Sequence, residues 1–407
     1  MKISMVSEHA SPLAALGGAD AGGQNVHVAE LSAALARAGH RVVVYTRRDR
    51  PDLPERVRTE ENYEVVRVPA GPPEQLPKDE LLPLMGEFGA FLEQEWSRDL
   101  PDVAHAHFWM SGIATQLAAR ELGIPTVQTF HALGVVKHRH QGSADTSPPD
   151  RIRLEKLLSR GAARVVATCS DEVFELARMG LPRSRTSVVP CGVDPTQFQP
   201  TGSTILPRRA KHRIVTAGRL VPRKGFDVAI EALTMLPDTE LVVAGGPLDG
   251  DLSGDPEATR LTEVARRHGV HDRVQMPGQI TRAQMPALLR SADLVVCDPW
   301  YEPFGIVPLE AMACGRAVIA AAVGGMLDTV VDGMTGLLVP PRSPEALAKA
   351  TRRLLGNPTT RDSYGIAGRD RAVARYSWDR VAADTARVYD RCIPVRRASS
   401  TAQVGTR

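Results

Sequence analysis

Short apolar runs rich in Val, Ile and Ala recur along the chain, each followed by a longer stretch in which apolar residues return every three or four positions. Lys2 to Val6, Arg41 to Thr46, Glu64 to Val68, Val103 to His107, Thr126 to Phe130, Arg164 to Ala167 and Thr186 to Val189 read as strands. Helical spacing appears at Val26, Ala29, Leu31, Ala34, Leu35 and Ala38, stopped by Gly39, and again at about 79–98, 111–122, 150–160 and 171–179. Alternation of this kind predicts a parallel sheet covered on both faces by helices. From Pro190 to Arg209 the periodicity fades, and Pro190, Pro195, Pro200 and Pro207 interrupt any regular element, as in a linker. The pattern then restarts. Strands are predicted at Arg213 to Ala217, Glu240 to Ala244, Val274 to Met276, Leu294 to Val296, Ala317 to Ala320 and Gly336 to Val339, with helices at about 225–236, 256–268, 282–290, 305–314 and 344–355. The expected architecture is α/β: two Rossmann-like, doubly wound parallel-sheet domains at 1–200 and 201–376. A helix within 377–393 is placed to cross back to the first domain, and a Ser/Thr/Ala/Arg tail at 394–407 is expected to be disordered.

Composition narrows the classes. The 407 residues are 43% hydrophobic, enough for two ordinary cores, and a net charge of +3 against 50 basic and 47 acidic groups gives no whole-molecule case for nucleic acid. Five scattered cysteines without C-x-x-C spacing argue against a disulfide framework or structural zinc and for a reducing compartment. No run approaches transmembrane length and the start carries no long apolar core, so a cytoplasmic protein is expected. A homodimer is compatible with this reading.

Candidate chemistry gathers where strands end. After the run Leu294 to Val296 comes Glu302-Pro303-Phe304-Gly305-Ile306, then a helical pattern carrying Glu310 and closed by Gly315. Such a strand-loop-helix corner offers unpaired amides near Phe304, Gly305 and Ile306 to an anion, while Glu302 and Glu310 can reach one polyhydroxylated ligand. The second domain opens with a loop between Gly218 and Gly225 that carries Arg219 and Lys224, two cations suited to a diphosphate. Across the presumed cleft, a loop containing Gly17-Gly18 and ending in Gly22-Gly23-Gln24 meets a helix start, where glycine allows close approach of a phosphate; no G-x-G-x-x-G fingerprint is present. His131 follows a strand, in a position that serves a packing histidine as well as a site group, whereas His105 and His107 alternate out of a strand as structural residues do. The tract Val136 to His140, with Lys78, Arg151 and Arg153, makes the first domain's loops basic. Asp249-Gly250-Asp251 could hold a divalent ion, but its Gly/Asp/Ser/Pro surroundings are explained by turn chemistry.

Together these residues resemble the retaining, nucleotide-sugar-dependent glycosyltransferases of family 4, which have the GT-B fold of two Rossmann-like domains facing a cleft. The most specific part is Glu302-x7-Glu310 with Phe304-Gly305 inside it, followed by Gly324-Gly325 and Gly333-Met334-Thr335-Gly336. The resemblance implies that Arg219 and Lys224 bind the donor diphosphate and Glu310 the ribose. It further implies that Glu302 holds sugar hydroxyls and His131 lies beside the transferring carbon, with Gly23, Phe304, Gly305 and Ile306 in the donor site. It also implies no metal and no cofactor beyond a nucleotide-sugar co-substrate, with UDP favoured over GDP or ADP. Within the family the first domain is most similar to the inositol-phosphate N-acetylglucosaminyltransferases of mycothiol synthesis and, more loosely, to sucrose-phosphate synthases, which marks Asn25, Lys78, Phe108, Arg151 and Arg153 as acceptor-side residues. Two departures stand out: Phe108 replaces a tyrosine of the mycothiol enzymes and Ala132 a threonine, removing two hydroxyls from that side. The expected activity is transfer of a sugar to a hydroxyl of a small polar acceptor: a sugar, a cyclitol or their phosphate. A nonhydrolysing sugar-nucleotide epimerase, a phosphorylase, and a non-catalytic sugar-nucleotide sensor are rivals on the same architecture.

Overall fold

A computed structural model describes residues 1–14, 22–247 and 250–393. Gly17-Gly18, Asp249 and the predicted tail at 394–407 therefore lie outside the described residues.

The first half runs β1 (Lys2–Val6), α1 (Gly23–Arg37), β2 (Arg41–Arg47), β3 (Arg56–Arg58), β4 (Glu64–Val68), α2 (Met85–Arg98), β5 (Val103–His107), α3 (Trp109–Leu122), β6 (Thr126–Thr129), α4 (Gly134–Gln141), α5 (Arg151–Gly161), β7 (Arg164–Ala167), α6 (Ser170–Arg178) and β8 (Thr186–Val188). Its eight strands lie in the order β3-β4-β2-β1-β5-β6-β7-β8. All are parallel except the edge strand β3, an antiparallel addition to β4 that the sequence reading did not contain. The second half runs β9 (His212–Ala217), α7 (Phe226–Leu233), β10 (Thr239–Ala244), α8 (Pro256–Arg267), β11 (Val274–Gln275), α9 (Met285–Arg290), β12 (Leu294–Cys297), α10 (Ile306–Ala313), β13 (Ala317–Ala321), α11 (Met326–Thr329), β14 (Gly336–Val339), α12 (Pro344–Leu355), α13 (Pro358–Tyr376) and α14 (Trp378–Asp390). Its sheet has the order β11-β10-β9-β12-β13-β14. In each sheet the winding reverses once, between β1 and β5 and between β9 and β12, and ligands of doubly wound folds settle outside strand ends at such points.

Each sheet is covered on both faces, giving four apolar clusters. One of them is completed from the far end of the chain. Trp378, Val381, Val388 and Tyr389 of α14 pack with Ile3, Val28 and Leu31 of the first domain, and the Tyr389 hydroxyl lies 2.7 Å from Nδ1 of buried His105. The chain thus crosses between the halves twice, side by side. The Val193 N–H donates to the Tyr376 carbonyl at 2.7 Å, and a Cβ on Gly192 would stand 2.5 Å from the Trp378 ring, so only glycine lets the two crossings touch.

Two buried titratable side chains, Arg213 and Asp298, sit where the second sheet meets loops. Arg213 on β9 is 1% exposed; its Nε donates to Glu240 at 2.8 Å and its other nitrogens to the carbonyls of Leu206 and Pro207 at 2.9 and 2.7 Å. The guanidinium thereby satisfies linker carbonyls that the prolines leave without a ladder. Asp298, immediately after β12, is 2% exposed and neither carboxylate oxygen has a hydrogen-bond partner among the described residues. Burial, aided by nearby Asp227, pushes its carboxyl up to about 7.

Arg213→Ala, which strands the buried Glu240 carboxylate, is expected to cost about 3–5 kcal/mol in urea unfolding, while an exposed control such as Arg153→Ala should cost well under about 1 kcal/mol. For Asp298 the unfolded chain releases its proton near 3.8 while the fold keeps it until about 7. Its contribution to stability is therefore full below the lower value, falls across that window as pH rises, and is absent above it. Asp298→Asn should flatten this part of the pH profile and raise stability at pH 8 by at most about 4 kcal/mol, read as denaturation midpoints from pH 4.5 to 8.

Candidate functional site

The carboxyl ends of both sheets open onto one cavity of about 890 Å³ between the domains. Its second-domain wall is built by the two strands that flank the winding reversal. β9 ends at Ala217, and the loop that begins with Gly218 carries Arg219 and, on a single turn of 3-10 helix at Pro222–Lys224, Lys224. β12 ends in the loop that holds Trp300, Tyr301 and Glu302 and then turns into α10. Gly225 joins the loops: it has φ 69°, and a Cβ there would lie 1.9 Å from the Asp298 carbonyl oxygen. No other residue allows the backbones to meet so closely.

That approach brings Lys224 Nζ to 2.5 Å from Glu302 Oε2. Burial pushes the Glu302 carboxyl up, but the Lys224 and Arg223 charges, the Lys224 hydrogen bond and the Phe304 N–H outweigh it and hold the carboxyl below its usual range. Glu302 is therefore an anion at neutral pH, and Lys224 keeps further N–H bonds to offer. Deeper in the wall, Glu310 on α10 is 2% exposed and paired with Arg282. Arg282 also lines the cavity and stacks its guanidinium 4.6 Å from the Phe198 ring centre. The sequence reading put residue 282 at the start of a helix and gave it no role; its reach across to Glu310 depends on a contact between distant segments.

The first-domain wall comes from the ends of β1, β5 and β6. Gly22 and Gly23 open α1, and a Cβ on Gly23 would stand 3.3 Å from Ile306 and 3.6 Å from Phe304, so the amino ends of α1 and α10 meet across the cleft. Both ends present unpaired amides and a positive dipole end to the same space. Arg219 lies beside them, its Nε 3.8 Å from where a Gly22 Cβ would be. Phe108 and His131, which follow β5 and β6, have φ 84° and 61°, unusual for residues with side chains. Two such backbones on one cavity wall mark a site that the surrounding packing over-determines.

His131 is 3% exposed, with Nε2 2.9 Å from His107 Nδ1 and no partner for Nδ1 among the described residues. Burial first, then the neighbouring imidazoles His27 and His105, push it well below the usual histidine range, so it is neutral at pH 7. Its ring lies 5.1 Å from that of Phe304. A neutral imidazole with one open nitrogen can share a hydrogen bond with a hydroxyl but carries no charge.

The predicted acceptor-side residues divide. Lys78, Phe108 and Arg151 line the cavity. Asn25 does too, but its amide braces the α1 entry, accepting from the Gly22 N–H at 2.9 Å and donating to the Ser11 carbonyl at 3.0 Å. Arg151 is 3% exposed and committed: Nε to Glu155 at 2.8 Å, and its terminal nitrogens to the Ala132 carbonyl at 2.6 Å and Ser147 Oγ at 3.1 Å. Arg153 is a correction. It is absent from the cavity lining and points outward, 66% exposed, pairing with Asp150 at 3.0 Å, because residues two apart on a helix do not share a face. Lys137, Thr146, His9 and Tyr301 line the cavity and were not singled out, although Lys137 lay in the basic tract. Asp251 accepts from the Ser253 N–H and hydroxyl, both at 2.9 Å, in a turn.

The chain matches known proteins along nearly its whole length. Residues 21–197 match the model described as Glycosyltransferase Family 4, and residues 205–371 that described as Glycosyl transferases group 1. Among curated proteins, a D-inositol 3-phosphate glycosyltransferase of Xylanimonas cellulosilytica is 37% identical, with 95% of this chain and 96% of that protein covered. One of Kribbella flavida is 38% identical, with 95% of each covered. Among solved structures, the sucrose-phosphate synthase of Thermosynechococcus elongatus superposes with a TM-score of 0.87 at 31% identity, over 96% of this chain and 98% of that one. With both halves matched and relatives of this identity along nearly its whole length, the chain belongs to the family-4 glycosyltransferases and has their GT-B fold.

Proposed function

We propose that this glycosyltransferase is a retaining enzyme that moves a hexosyl or N-acetylhexosaminyl group from a nucleotide-diphosphate sugar, with UDP the favoured carrier, to a hydroxyl of a small phosphorylated polyol. The observation that carries the reading is the convergence of Arg219, Lys224, Glu302, Glu310 and His131 on one cavity whose opposite wall holds Lys78 and Lys137.

In this reading the nucleotide lies against the second domain with its ribose at Glu310, and the diphosphate lies between Arg219, Lys224 and the amino ends of α1 and α10. Breaking the anomeric C–O bond leaves negative charge on the diphosphate and positive charge on the sugar ring. Fixed cations and amides near the first charge, and the Glu302 carboxylate near the sugar, then bind more tightly as the bond breaks, which lowers the barrier. The acceptor hydroxyl adds to the anomeric carbon from the face the diphosphate leaves, and its proton passes to a departing phosphate oxygen. The retention of configuration rests on the family resemblance together with the chemistry of the cavity wall, where a neutral His131 supplies a hydrogen bond to the sugar rather than a nucleophile. Positive charge comes from side chains and helix ends, so turnover is expected without an added metal. The named relatives' inositol phosphate and the lysines of the first-domain wall favour an anionic polyol acceptor.

Nucleotide release should be screened with UDP-, GDP- and ADP-sugars against inositol phosphates, sugar phosphates and aminocyclitols. Release dependent on both a UDP-sugar and a phosphorylated polyol is expected; conversion of a UDP-sugar without any acceptor would favour the epimerase instead. Lys224→Ala should lower kcat by about 10²–10³-fold with the circular dichroism spectrum unchanged, and wild-type turnover in that variant would remove the cation argument.

A further inference from the structure

Helix α6 belongs to the first domain, yet the residue capping it comes from the second. Its N-cap, Cys169, makes no side-chain hydrogen bond to the helix. The first helical N–H, that of Ser170, instead donates to Asp328 Oδ2 at 2.5 Å. An aspartate at a helix start is the preferred partner for such an orphan donor and for the positive dipole end. Here it is supplied across the domain boundary, from α11.

The segment that carries Asp328 also supports the Glu302 loop. The Gly325 N–H donates to the Glu302 carbonyl at 2.8 Å, and a Cβ on Gly324 would stand 2.3 Å from that oxygen, so the turn before α11 lies directly against the backbone of Glu302. On the other flank the Asp328 carbonyl accepts from Arg371 at 2.7 Å and from the Tyr376 hydroxyl at 3.0 Å, which fixes α11 to the last turns of α13. A second contact runs in parallel. The Thr168 hydroxyl, one residue before Cys169, shares its proton between Glu172 Oε2 at 2.8 Å and the carbonyl of Pro303 at 3.2 Å. Glu172 also accepts from the Thr168 N–H at 2.7 Å, so the threonine is held in place from its own domain. Neither Thr168 nor Asp328 lines the cavity.

We infer that the amino end of α6, Asp328 and Thr168 form a cross-domain latch that sets Glu302 against the donor sugar only while the domains are closed. Asp328 and Thr168 are then positioning residues for glycosyl transfer. Opening the cleft breaks both contacts together, leaves α6 uncapped and removes one side of the cradle around the Glu302–Phe304 backbone. Closing restores them, so the energy of capping a helix is coupled to the placement of a carboxylate that sits across the loop from it. Nucleotide binding through Arg219, Lys224 and Glu310 does not draw on the latch. This inference rests on the transfer reading above for its effect on rate, but not for its effect on shape.

The test uses the full-length chain as wild type, Asp328→Ala, Asp328→Asn and Thr168→Val. With UDP present, small-angle scattering should give a larger radius of gyration for Asp328→Ala than for wild type, and Asp328→Asn, whose amide oxygen accepts the same bond, should return to the wild-type value. Turnover with the best donor and acceptor of the screen should fall about tenfold in Asp328→Ala and less in Thr168→Val, with UDP affinity within about twofold of wild type. Asp328→Asn should recover most of the lost kcat. Scattering curves that coincide for wild type and Asp328→Ala would overturn the latch, as would unchanged kcat, or a loss of UDP affinity equal to the loss of kcat. Absence of transfer in the wild type would count against the proposed function, and the scattering comparison would still decide the latch.

Discussion

A carboxylate buried as deeply as Glu302 is tenable only beside a fixed positive charge, and the ammonium of Lys224 provides it. An isolated charge in such a place would cost several kcal/mol or take up a proton. Instead the carboxyl is held below its usual range, and two loops that follow non-adjacent segments of chain are bound at their tips. The close backbone approach at Gly225 makes the pair geometrically available, and the pair in turn fixes the conformation of both loops. The same alternation of sign continues with Arg282 and Glu310. The Lys224 and Arg282 cations therefore have defined directions, and an ammonium already bound to one carboxylate retains donors for a phosphate.

The loop from Tyr301 to Ile306 is also where the two domains meet. Tyr301 takes a hydrogen bond from Gln141 at 2.7 Å and stacks on His140, both of α4. Pro303 faces Thr168, Phe304 lies against His131 and His27, and Ile306 approaches Gly23. These contacts place first-domain side chains directly against the residues next to Glu302. Any relative shift of the two domains would therefore reach the segment that carries this buried carboxylate.

Much of this was legible in the sequence because strand ends carry the chemistry and periodicity marks strand ends. The alternation of apolar runs and helical spacing located β9 and β12, and with them Arg219, Lys224 and Glu302. Other features were hidden for physical reasons. Helix α4 has a polar, basic sequence with almost no apolar face, since one side covers the cavity. Helix α13, 19 residues long, contains Gly365 and Gly368, which read as breakers. In the fold they are contact points: a Cβ on Gly365 would lie 2.3 Å from the Gly315 carbonyl, and one on Gly368 3.0 Å from Met312. Arg153 was grouped with Arg151 as a basic residue, and because the face of α5 that is buried carries the charged Arg151 and Glu155 beside Leu158, apolar periodicity did not show that residue 153 lies outside it.

The first-domain wall bears on how an anionic acceptor would be held. Arg151 is the one described residue there with a planar fork, yet its nitrogens are engaged by Glu155, Ala132 and Ser147, and its face lies 5.1 Å from the Phe108 ring centre. The same Glu155 accepts the Gly134 N–H at 2.9 Å, so Arg151 and Glu155 together hold the turn from His131 to Gly134 rigid. The guanidinium therefore acts as a brace, and Lys137 is engaged on the same wall, with Ser147 Oγ and Asp145 Oδ1 each 2.9 Å from its Nζ. A lysine attracts a phosphate as a point charge with rotatable donors and imposes little angular preference. For the anionic acceptor proposed above, charge and the space beside Phe108 would therefore count for more than the exact direction of its phosphate oxygens. The apolar ring and the neutral His131 would add shape and one hydrogen bond to that charge.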